Sequence, residues 1–338
     1  MKNIEAFYRQ LLTPSDALIT DIAKIDGDII ILGVGGKMGP GLARAAKQAI
    51  DKAGISKKVI GVARFTEPVL QEELNNEGIE TYKVDLLNDK ELQALPDAKN
   101  VIYMAGLKFG TEGNQPLTWA MNSYLPGRVA EKYKNSKILV FSTGNVYPLV
   151  SVTSQGATEE LTPEPVGEYA QSCLGRERMF QYFSEKNNTP ALIYRLNYAN
   201  DVTYGVLVEI AKSVKEQEPI DLTMGTASII WQGDANEIAI RCLNHCSVPA
   251  KILNVSGPEI VSFRWLGEQF GRMFGTEPIF TSEEQPTAFL VNAAECFRLF
   301  GYPRVTLLQM MELMVEWLNQ NGKTLNKPTH FQERKGKY

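Results

Sequence analysis

The feature that most constrains this chain is a glycine-rich turn, Gly33-Val-Gly-Gly36-Lys-Met-Gly39. It lies between an apolar, β-branched run (Asp28 to Leu32) and an alanine-rich stretch (Leu42 to Ala53) that Gly54 stops. An apolar run of that length predicts a strand buried on both faces, and the alanine-rich stretch predicts a helix. Glycine at such a junction permits a tight turn and a close approach of backbone to a ligand. The first amide groups of the following helix then face whatever sits there, with the positive end of the helix dipole behind them. A dinucleotide pyrophosphate is the ligand that rewards this arrangement, so Gly33, Gly36, Lys37, Met38 and Gly39 are expected to hold one.

The rest of the N-terminal half repeats the pattern. Strands are predicted at 58–63, 79–84, 100–105, 137–142 and 191–196. Helices are predicted at 69–77, from 88, over roughly 116–133 and over 168–185. Regular strand–helix alternation means a parallel, doubly wound α/β sheet of Rossmann type with right-handed crossovers. Residues 1–27 read as a helical extension, started by Thr13-Pro14-Ser15-Asp16. Residues 28–198 form the nucleotide-binding part, with 228–255 returning to it. The looser stretches 199–227 and 256–338 form a smaller substrate-binding lobe and tail. The segment 150–165, rich in Ser, Thr, Gly and Pro, reads as a loop, and the basic tail from Lys327 as a surface segment.

Bulk properties exclude several classes. The net charge of −4 gives no electrostatic reason for nucleic acid or an anionic membrane to be the main partner. No stretch has the length of an apolar membrane span, and the first twelve residues lack an apolar signal core. Four cysteines in 338 residues do not build a disulfide framework. A reduced, cytoplasmic protein is expected. Cys242, His245 and Cys246 are spaced as on an amphipathic helix with no further ligand cluster nearby, and two histidines in all make a His-based metal or Ser-His site improbable.

At the end of the second strand, Val62-Ala63-Arg64 carries no acid for a ribose 2′-hydroxyl, whereas an arginine suits a 2′-phosphate. NADP is therefore expected, with NAD the alternative.

Three further blocks carry a resemblance. They are Met104-Ala105-Gly106-Leu107-Lys108, Phe141-Ser142-Thr143-Gly144-Asn145-Val146-Tyr147, and Tyr169-Ala170-Gln171-Ser172 with Glu177 beyond. Together with the G-x-x-G-x-x-G spacing they resemble the extended short-chain dehydrogenase/reductases, the NAD-dependent epimerase/dehydratase family of sugar-nucleotide enzymes. The resemblance implies a cofactor site of the glycine turn, Arg64, Asp85 and Leu86 at the adenine, Ala105 and Gly106, Lys108 towards the phosphates, Asn122 and Tyr169. It implies that Thr143 binds the reacting substrate oxygen beside Asn145, and that Tyr169 is the general acid/base. Asn197, in a shortened version of the family's R-x-x-N segment, is a further substrate candidate. A homodimer through the two long helices is also implied.

One position departs from the family. Where its lysine hydrogen-bonds the nicotinamide ribose and lowers the tyrosine pKa, this chain has Cys173. A neutral thiol adds no charge, and a thiolate would raise the tyrosine pKa further. Lys37, Lys108 or the oxidised nicotinamide are alternative cations. Alternatively Tyr169 donates its proton in a reduction, or the site binds cofactor without fast turnover. Cys173 as nucleophile lacks a nearby histidine to activate it. The expected activity is an oxidoreductase, epimerase or dehydratase acting by hydride exchange on a sugar or sugar acid. The competing expectation is a non-catalytic NADP(H)-binding regulatory protein. Arg264, Arg272 and Arg298 are candidates for a substrate phosphate or carboxylate, and Asp234 is expected to N-cap a helix.

Overall fold

All four side chains of strand β1 (Ile29–Leu32) are buried, as a strand covered on both faces requires. The computed structural model describes residues 4–108 and 113–337. Before β1 come helices α1 (Ile4–Leu11) and α2 (Asp16–Lys24), the latter N-capped by Ser15, whose hydroxyl accepts from the Leu18 amide. After β1 follow α3 (Gly39–Lys52), β2 (Val59–Ala63), α4 (Pro68–Asn76), β3 (Glu80–Lys83), α5 (Asp89–Ala94) and β4 (Asn100–Tyr103). Then come α6 (Gln115–Trp119), α7 (Leu125–Lys132), β5 (Lys137–Thr143), α8 (Gly167–Asn187) and β6 (Ala191–Leu196). The remainder contributes α9 (Val206–Glu216), α10 (Gln232–Cys242), β7 (Lys251–Val255), α11 (Phe263–Phe274), α12 (Ala294–Phe300) and α13 (Leu307–Asn319).

The seven strands form one parallel sheet in the order β7-β6-β5-β4-β1-β2-β3. The strand order reverses between β1 and β4, and a crevice opens beyond their carboxyl ends at such a switch point. Alternation along β1 divides the core. Ile29 and Ile31 pack with α2, α3 and α10, while Ile30 and Leu32 pack with Leu125 and Val129 of α7 and Phe180 of α8. Each buried aliphatic side chain contributes roughly 1.5–3 kcal/mol relative to exposure, so both helix layers are held firmly beneath the crevice. A second apolar cluster gathers α9, α11 and α13 around Trp231 and Phe263.

Three local expectations are corrected. The long helix over 116–133 is broken by a π-helical turn, Ala120–Tyr124. Pro126 has no amide to give to the Asn122 carbonyl, and the Leu125 amide instead bonds the Ala120 carbonyl, five residues back. The 150–165 segment is not all loop: Val150–Ser151 pairs antiparallel with Thr287–Ala288. The basic tail is not a loose surface segment. Phe331 and Thr329 are buried, Phe331 meets Phe263 edge-on at 4.9 Å, and Arg334 bonds Thr287. Met1 to Asn3 and Tyr338, at the ends of the expected extension and tail, lie outside the described residues.

Candidate active site

The glycine turn sits at the switch point, and steric demand explains two of its glycines, Gly33 and Gly39. Gly33 has φ +98°, a conformation that side chains other than glycine's rarely adopt. A Cβ there would stand 2.7 Å from the Ala105 amide nitrogen at the end of β4. A Cβ on Gly39 would run into the Val34 carbonyl. No side chain caps the N-terminus of α3, so its first-turn amides remain for a phosphate. These features fit a dinucleotide pyrophosphate. Lys37 folds out of the turn onto Tyr204, its ammonium 3.2 Å from the ring centre. Burial, with Lys108 and Lys327 nearby, brings its pKa down to about 7.

Arg64 is exposed just past β2. Asp85, past β3, turns its carboxylate onto the Leu87 amide at 3.0 Å. Leu86 is buried in the apolar cluster that includes Leu92 and Leu95, so its side chain belongs to the core. Past β4, Ala105 is buried and Gly106 exposed. Lys108 stands with its ammonium 5.9 Å from the Tyr169 ring centre, and burial brings its pKa down to about 8.

Asn122, on the π turn, is fully buried and bonded at both ends of its amide. It donates to the Leu107 carbonyl (2.8 Å) and the Ser172 hydroxyl (3.0 Å), and accepts from the Leu107 amide (2.8 Å) and Arg176 (2.9 Å). This one side chain therefore joins the β4 loop to α8. The Thr143 hydroxyl, at the end of β5, donates to the Asn145 side chain at 3.1 Å and accepts from the Asn145 amide.

Tyr169 and Cys173 are one turn apart on α8. The Tyr169 hydroxyl hydrogen-bonds both the Cys173 and the Thr143 side chains. Burial first, then Cys173, pushes the phenol well above its ordinary range, with Arg176 opposing. Cys173 is fully buried, and burial pushes its thiol up as well, again against Arg176. A buried, protonated thiol is a poor nucleophile.

Behind the pair lies a buried network. Glu177 forms two bonds with Arg195, at 2.9 and 2.6 Å, and accepts from the Ser142 hydroxyl at 2.6 Å. Arg195 also donates to the Tyr147 hydroxyl at 2.6 Å, and that hydroxyl donates to Asn254 at 2.9 Å. The network ties β5, β6 and β7 to α8 and fixes where Thr143 and Tyr169 meet. Asn197 is buried and donates to the Phe289 carbonyl at 3.2 Å, with its side-chain oxygen against Gly144.

Other candidates fall away from this site. Arg264 pairs with Glu284 and Arg298 with Glu295 on the surface, and Arg272 is exposed. Asp234 lies inside the first turn of α10, where Trp231 is the N-cap residue. Its carboxylate accepts from the Val305 amide at 2.9 Å and pairs with Arg304. Cys242 is a buried core residue, and no cluster of metal-ligating side chains exists among the described residues. None of their helices is long and apolar enough to cross a membrane. The residue that sequence reasoning missed is Arg176, buried beside Gly106, where a Cβ would meet its guanidinium. The available signal was its place three residues after Cys173, on the same helix face.

Residues 29–221 match the model of the NAD dependent epimerase/dehydratase family. No curated protein matches the sequence significantly. Among solved structures, the chain is similar to UDP-glucuronic acid 4-epimerase from Bacillus cereus in complex with UDP-glucuronic acid and NAD. The identity is 19%, the TM-score 0.71, and 87% of this chain and 99% of that one are covered. It is also similar to the Thermus thermophilus UDP-glucose 4-epimerase complex with NAD, at 17% identity and TM-score 0.69, covering 86% of this chain and 99% of that one. UDP-glucose 4-epimerase from Thermotoga maritima with UDP-glucose gives 15% identity and TM-score 0.70, over 87% and 99%.

Proposed function

The chain belongs to the NAD dependent epimerase/dehydratase family, and from that premise we propose that it exchanges hydride between a nicotinamide dinucleotide and a hydroxyl or carbonyl carbon of a sugar or sugar-acid derivative. The observation that carries this reading is the hydrogen bond joining Tyr169 of α8 to Thr143 at the carboxyl end of β5. Two solved structures of similar fold contain a nucleotide sugar, one of them together with NAD, which supports the same substrate class.

When bound, the nicotinamide supplies the hydride donor or acceptor. In our reading the glycine turn and the N-terminus of α3 hold the pyrophosphate, with Lys37 and Lys108 adding charge. Arg64 takes a 2′-phosphate, making NADP the favoured form. Thr143 and Asn145 orient the substrate oxygen. Tyr169, held protonated by burial, gives its proton to that oxygen as a carbonyl is reduced. Asn197 lines the substrate side of the Thr143 loop.

The second reading, a non-catalytic NADP(H)-binding protein, is favoured by one observation: Cys173 pushes the Tyr169 pKa the wrong way for a general base. The experiment is titration of the protein with NADH and NADPH by nicotinamide fluorescence, then turnover with a panel of keto-sugars, nucleotide sugars and uronic acids. Tighter binding of NADPH, reversed by Arg64→Asp, supports the cofactor assignment. Equal binding of both forms contradicts it. Binding without turnover of any panel member favours the second reading.

A further inference from the structure

We propose that Arg176 is the positioning cation of this site: its buried guanidinium supplies to Tyr169 the positive charge that Cys173 does not. The proposal rests on the reading of Tyr169 as the proton-transferring group. Tyr169, Cys173 and Arg176 stand at i, i+4 and i+7, a spacing that places all three on one face of α8.

The arginine is held in place by neutral groups. It donates to the Phe141 carbonyl at 2.8 Å and to the Asn122 side-chain oxygen at 2.9 Å. Its Cζ lies 5.8 Å from the Tyr103 ring centre, and its Nε has no hydrogen-bond partner. The nearest acid in sequence, Glu177, is engaged by Arg195 and Ser142. Among the described residues no carboxylate hydrogen-bonds Arg176. A buried cation with no hydrogen-bonded carboxylate is expensive to hold, and its field acts on whatever anion forms beside it, with Glu177 as its nearest acid.

The groups facing Tyr169 are Cys173 and Arg176 from its own helix, Thr143 from β5 and Lys108 from the β4 loop. Arg176 opposes the rise of both the tyrosine and the cysteine pKa, and it is the first opposing influence on each. It performs only the electrostatic half of a lysine's work. When Tyr169 gives up its proton, the transient tyrosinate is stabilised by a fixed charge on the same helix face.

The test needs neither substrate nor cofactor. A ring-fluorinated tyrosine placed at position 169 reports its own ionisation by fluorine NMR. Arg176→Met is expected to lower the ionisation constant about tenfold or more, as loss of a unit charge at this range in a partly shielded site does. Arg176→Lys should stay within about threefold of the parent, because it keeps the charge. Lys108→Met should change it by less than about tenfold. An Arg176→Met protein that melts cooperatively yet titrates within about threefold of the parent overturns the proposal. If Arg176→Met does not fold, Lys108→Met decides. A fall of about tenfold there assigns the charge to Lys108 and overturns the proposal, while any smaller change supports it. Failure of the hydride-exchange reading would appear separately, as absence of cofactor binding or turnover in a protein whose Tyr169 titration is still measurable.

Discussion

The Tyr169 hydroxyl is hydrogen-bonded to Cys173, one turn along α8. Burial and this neighbour hold the phenol protonated far above neutral pH, so the tyrosine is suited to give a proton rather than take one. Cys173→Lys adds a cation at this point and lowers the phenol pKa. The basic tyrosinate form is then reached at lower pH, and the profile of the oxidative half-reaction should move to lower pH by about one unit. An unmoved profile in a folded, active variant contradicts this.

The Arg195–Glu177 pair is almost wholly buried and braces the strands beneath the site. Glu177→Gln leaves Arg195 charged without a counter-ion, at a cost of about 3–5 kcal/mol in unfolding free energy. Urea denaturation measures it. A loss below about 1 kcal/mol would show that the pair contributes little beyond packing.

Burial brings the pKa of Lys37 to about 7 and that of Lys108 to about 8 before any anion arrives, with Lys108, Lys327 and Glu209 as charged neighbours of Lys37 and the Cys173 thiol beside Lys108. A bound pyrophosphate favours the charged amines and raises both pKa values. Cofactor binding just above neutral pH should therefore take up protons, and affinity should fall as pH rises through this range. Calorimetry in two buffers of different ionisation enthalpy measures the uptake. Proton release on binding is the contrary result.

Several of the exposed large apolar side chains lie on the helices expected to pair: Leu117, Trp119 and Tyr124 on the broken helix and Tyr182 on α8. We propose a homodimer through this face, since clustered exposed aromatics mark interfaces. Tyr124→Asp with Tyr182→Asp should convert a dimer to a monomer in analytical ultracentrifugation. A parent protein that sediments as a monomer at micromolar concentration rules the dimer out.

Much of this was legible in the sequence because its causes are local. The glycine turn, the strand–helix alternation and the positions of Thr143 and Tyr169 follow from residues a few places apart. Arg176 was not legible, because its meaning depends on Asn122 and Phe141, more than thirty residues away and brought close only by the sheet. The tail was misread for a similar reason. Its basic composition suggests solvent, but Phe331 finds Phe263 across the fold. The π turn escaped because Pro126 also fits the first turn of a helix, and only the register of the hydrogen bonds separates the two.

The most direct test of hydride exchange at Tyr169 follows the near-ultraviolet absorbance of NADPH mixed with the protein and a panel of keto-sugars and nucleotide keto-sugars. The account predicts oxidation by at least one member of the panel, lowered about a hundredfold or more by Tyr169→Phe. Tight NADPH binding with no oxidation across the panel, or oxidation unchanged in Tyr169→Phe, would contradict it.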